Sequence, residues 1–66
     1  MPDTDQIRER LEAIAEELAD LAMDALREAM AAGEEKRPDA ERRLTQARRA
    51  VEKAAGLLKP RESDDG

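Results

Sequence analysis

Apolar positions recur at alternating spacings of four and three in two stretches of the chain. In the first they are Ile7, Leu11, Ile14, Leu18, Leu21 and Ala25, and in the second Ala40, Leu44, Ala47, Val51, Ala54 and Leu58, both spaced 4-3-4-3-4. A strand would alternate at every second residue; this period is the heptad of helices that pack as coiled coils. The stretch between them, Gly33-Glu34-Glu35-Lys36-Arg37, is a short charged turn, and a turn of that length makes two helices antiparallel neighbours. The pattern therefore predicts an all-α chain, an antiparallel two-helix hairpin of coiled-coil type. Its parts are a helix over 4–32, a turn over 33–37, a helix over 38–59 and a disordered acidic tail over 60–66.

Local signals mark the same boundaries. Asp3 or Thr4 can cap the first helix, with Gln6 three positions after Asp3 to complete a capping box and Asp5 favourable to the helix dipole. Gly33 suits the left-handed position just past a helix end. Pro38 suits the first position of the second helix, where its missing N–H is not needed, and Asp39 and Glu41 follow as first-turn acids. Gly56 weakens the last turn, and Pro60 stops the helix near Lys59.

A turn centred near Glu34 and Glu35 predicts a register in which facing residues add to about 69, as antiparallel heptads require a constant sum. Leu11 then faces Leu58, Ala15 faces Ala54, Leu18 faces Val51, Ala22 faces Ala47, Ala25 faces Leu44 and Ala29 faces Ala40. These twelve residues form the expected hairpin core. Two alanine rows meet in it, which predicts close helix approach.

At 100° per residue, Ile7, Ile14 and Leu21 lie roughly 60° to one side of that seam. Ala50 and Leu57 lie to one side on the second helix and emerge on the same broad face, which asks for a partner. Two identical faces joined would close a four-helix bundle, so the expected state is a homo-oligomer, with a dimer favoured. Met23, Leu26 and Met30 make a smaller apolar patch near the turn, on the opposite side. Its adaptable methionines suit protein contact, whether as a binding site or within a larger oligomer core.

Composition sharpens the need for that partner. A chain of 66 residues buries a modest share of its surface, thirteen of its apolar residues are alanine, and it has no aromatic residue. Cys and His are both absent, which removes disulfides and makes a zinc site implausible, so oligomerisation is the remaining staple. The expected cofactor set is empty. No apolar run approaches a membrane span, and the acidic start Met1-Pro2-Asp3-Thr4-Asp5 does not resemble a signal peptide, so a cytoplasmic protein without membrane contact is expected.

Catalysis has little to work with: besides His and Cys, Tyr is absent, and Thr4 and Thr45 have no convincing base nearby. The expectation is a protein that is not an enzyme. Glu12, Glu16, Asp20, Asp24 and Glu28 form an acidic ladder at four-residue intervals, read as a solvated face, with a docking strip for a basic partner or a weak divalent-cation site as alternatives. The second helix is basic where the first is acidic, which favours their pairing. Arg43 and Arg48 sit near the flanks, where pairing with Glu28 and other acids is expected.

Arg42, Arg49 and Lys53 fall on one outward face, a candidate contact for nucleic acid or an acidic protein. The net charge of −5 and the lack of stacking aromatics weigh against nucleic acid. In architecture alone, the expected hairpin resembles the plasmid copy-number regulator Rop, a short hairpin that dimerises into a four-helix bundle and binds paired RNA loops. No motif here carries over its RNA-contacting residues. The turn also lacks the Trp-x-Gly of hairpins secreted with specialised bacterial secretion systems. The leading functional expectation is a dimeric protein-interaction module, an adaptor or regulatory subunit. The rival is a Rop-like RNA- or DNA-binding regulator using the basic face of the second helix, and a third reading is a bundle with no ligand.

Overall fold

The computed structural model describes residues 3–60 and contains two helices, α1 over Thr4–Ala31 and α2 over Asp39–Leu57, packed against each other as a hairpin. Asp3 caps α1: its Oδ1 accepts from the Gln6 N–H at 3.2 Å. The far end closes as a Schellman motif. The Gly33 N–H donates to the Met30 carbonyl at 3.0 Å and the Glu34 N–H to the Ala29 carbonyl at 2.9 Å. This places Gly33 at φ 80°, a backbone conformation that a side chain disfavours.

α2 begins one residue later than expected. Pro38 is its extended N-cap (φ −68°, ψ 148°), and its carbonyl accepts from the Arg42 N–H at 3.2 Å. At the other end the helix stops at Leu57, two residues before Lys59. There the Leu58 and Lys59 N–H groups reach back only three residues, to Ala55 and Gly56, at 3.1 and 3.3 Å. Gly56 loosens this turn, and Pro60 disfavours helical geometry at Lys59, so the last turn tightens and ends. Of the expected disordered tail, residues 61–66 lie outside the described residues.

On α1, Ala15, Ala22 and Ala29 are buried, Leu11, Leu18 and Ala25 are half-buried between them, and Arg8, one heptad before Ala15, is half-buried as well. On α2 the burial departs from the expected positions. Ala40 and Ala47, expected in the hairpin core, are exposed; Ala54 is half-buried, and its neighbour Ala55 is the buried residue of this helix. The inward line runs through Glu41, Leu44, Arg48, Val51, Ala55 and Leu58. Size explains the rotation: methyl-on-methyl layers would draw the helices closer than the intervening leucine layers permit. The stem of Arg48 and the side chain of Glu41, its carboxylate held by Arg37 and Thr45, occupy that space.

One groove between the helices gathers Glu12, Ala15, Glu16 and Ala19 with Arg48 and Glu52, and the other gathers Ala25, Glu28 and Ala29 with Pro38 and Ala40.

Candidate interaction surface

Two helices enclose very little. Among the described residues the buried set is four alanines, Ala15, Ala22, Ala29 and Ala55, and every Leu, Ile, Val and Met keeps part of its side chain in water. The seven-residue rows beside the seam show how that exposed apolar surface is distributed. Glu28 and Ala40 share one groove, so the rows through them, Ile7, Ile14, Leu21 and Glu28 on α1 and Ala40, Ala47 and Ala54 on α2, flank the seam on one side. Ala50 and Leu57 follow three residues after Ala47 and Ala54 and extend the same flank outward.

This face is apolar along most of its length. Ile7, Ile14, Leu21 and Leu57 are 49%, 45%, 51% and 77% exposed, and Ala40, Ala47 and Ala50 are exposed beside them. The alanines that the α2 seam does not use are thus added to the face that Ile7, Ile14, Leu21, Ala50 and Leu57 had outlined. The signal for this was already in the chain, since Ala54 and Ala55 are adjacent and either could enter the seam. What hid it was polarity: choosing Ala55 also puts Glu41 and Arg48 inward, where only their stems are apolar.

The opposite face differs. Its groove is lined by Glu12, Glu16, Arg48 and Glu52 around Ala15 and Ala19. Arg48 donates from Nη1 to Glu52 on its own helix at 2.9 Å, an intramolecular pair with an acid other than Glu28. Near the turn this face carries the Met patch: Met23 and Met30 are 50% and 67% exposed, while Leu26 is half-buried. Asp20, Asp24, Glu16 and Glu28 of the acidic ladder are exposed and Glu12 is half-buried. No group of three or more potential metal ligands occurs among the described residues.

Ion pairs run along the chain, not between the helices. Every one among the described residues joins positions three or four apart: Arg8 with Asp5 and Glu12, Arg27 with Asp24, Arg37 with Glu41, Arg42 with Asp39, and Arg48 with Glu52. Of the candidate basic face, Arg42 is held by Asp39 at 2.6 Å, and Arg49 and Lys53 are exposed. Arg43, expected to pair with Glu28 and other acids, is exposed and makes no ion pair among the described residues.

Among the described residues, the start of α2 holds the one cluster with a perturbed acid. Glu41 accepts from Arg37 Nε at 2.6 Å and from the Thr45 hydroxyl at 2.9 Å. The Arg37 hydrogen bond, then that of Thr45, holds the Glu41 carboxyl below the usual carboxylate range, and the same contact raises Arg37. The cluster ties the turn to α2. No helix of the described residues is long and apolar enough to cross a membrane. No protein-family model matches the chain, and no match is found among curated proteins or solved structures.

Proposed function

We propose that this chain is a self-associating helical interaction module, an adaptor or regulatory subunit that works through its helix faces. Its elementary form is a homodimer in which two hairpins join their Ile7 faces into a four-helix bundle. The observation that carries this reading is the row of half-exposed Ile7, Ile14 and Leu21 beside Leu57 and the exposed alanines. Removing the remaining half of each large side chain from water contributes about 1 kcal/mol, and a second copy offers the same row in return. The hairpin supports this reading from within as well. Its buried core consists of alanines alone, so a second layer is the means by which its leucines and isoleucines leave water.

Ile14→Asp tests the proposal, because it sets a charge in the middle of the proposed shared core. The expected result is loss of association in size-exclusion chromatography with light scattering, together with loss of much of the helical circular dichroism. Unchanged mass and unchanged helicity would put the interface elsewhere.

A further inference from the structure

The orientation of the two copies follows from charge and size, given the self-association proposed above. We infer that each α1 lies across the α2 of the other copy, with both turns at the same end of the bundle and the two-fold axis running along it. The alternative, α1 on α1 and α2 on α2, sets the turns at opposite ends.

Charge separates the two. α1 carries eight acidic and three basic residues, and α2 three acidic and five basic. Stacking α1 on α1 would run two acidic helices side by side for about 42 Å, the length of 28 residues at 1.5 Å each. Crossed stacking gives every acidic helix two basic neighbours, its own α2 and that of the second copy. Part of this charge is available for it: Glu9, Glu16, Glu17, Asp20 and Glu28 of α1 and Arg43, Arg49 and Lys53 of α2 take part in no ion pair among the described residues. Charged positions beside a helical seam are what set orientation in such assemblies.

Size points the same way. The α1 row presents Ile7, Ile14 and Leu21, and the α2 rows present Ala40, Ala47, Ala50 and Ala54, with Leu57 at the end away from the turn. Crossed stacking places large against small along most of both contacts, so the two hairpins lie parallel and nearly evenly spaced. Like-on-like stacking would hold the α1 pair apart and draw the α2 pair together, a wedge that opens the core along one side. In the crossed arrangement Arg43, exposed and without an ion pair among the described residues, lies beside the acidic α1 of the second copy.

A distance between turns decides it. The chain has no cysteine, so Glu35→Cys accepts a single nitroxide label per copy, on an exposed residue of the turn. Pulsed dipolar spectroscopy on the labelled full chain, with mass measured on the same sample, is expected to give a separation of roughly 20 Å, about two helix diameters. A dimer with labels about 40 Å or more apart, a helix length, would overturn the crossed orientation and leave self-association standing. A monomeric mass with no dipolar coupling would overturn the self-association itself, and the orientation with it.

Discussion

The two broad faces of the hairpin flank the same seam and are made by the same two helices, yet they meet water differently. One is a row of isoleucine, leucine and alanine with charges at its margins. The other is a groove of glutamate and arginine that gives way to methionine only near the turn. Leu21 and Met23 make the contrast concrete, being 51% and 50% exposed on opposite sides. Exposure alone cannot distinguish them; the company each keeps does. An isolated hydrophobic side chain on a surface is ordinary, whereas a continuous row of them marks a contact.

Substitutions at these two positions should therefore part company. Leu21→Lys is expected to weaken association by about 3 kcal/mol or more, the penalty of a charge left unpaired in a buried site. Equilibrium sedimentation measures it, and a dissociation constant unchanged within threefold would erase the distinction between the faces.

A change in the seam beneath both faces comes next. Ala55→Leu adds volume to the tightest point of α2 and is expected to lower thermal stability by about 1–3 kcal/mol. If urea titration instead shows stabilisation, Ala55 does not face α1. Gly33→Ala acts on neither face. With open space around a new Cβ but φ at 80°, it should cost about 1–2 kcal/mol from backbone strain alone, seen as a lower midpoint with dimer mass unchanged.

Acid tests the clamp at the start of α2. Since the folded Glu41 carboxyl titrates below its unfolded value, its contribution is fully present above the unfolded pKa and is lost as pH falls through the folded one. A pH titration of stability should thus fall below the ordinary carboxylate range, by less in Glu41→Gln than in the parent. Smallest of all, Met23→Lys should leave association within about 0.5 kcal/mol of the parent, as for a surface change away from any contact. A loss as large as that of Leu21→Lys would make the Met patch part of the interface.

How far the residues foretold this arrangement depends on which helix is considered. α1 was legible because its inward residues, apart from half-buried Arg8 and Glu12, are apolar, and its end was legible because Gly33 is the residue a Schellman motif requires. The inward line of α2 was not, because hydrophobic periodicity counts Glu41 and Arg48 as polar and cannot see their stems. The outer row Ile7, Ile14 and Leu21 was readable from spacing, but its enlargement by Ala40 and Ala47 follows from the rotation of α2 and needed the structure.

The mass of the unmodified chain across a dilution series, from about 100 μM to about 1 μM by sedimentation equilibrium, bears most directly on the central claim, since association must follow mass action. The account predicts twice 7.3 kDa at the concentrated end, with helicity falling as the dimer dissociates. A stable, fully helical species of 7.3 kDa at every concentration would contradict it.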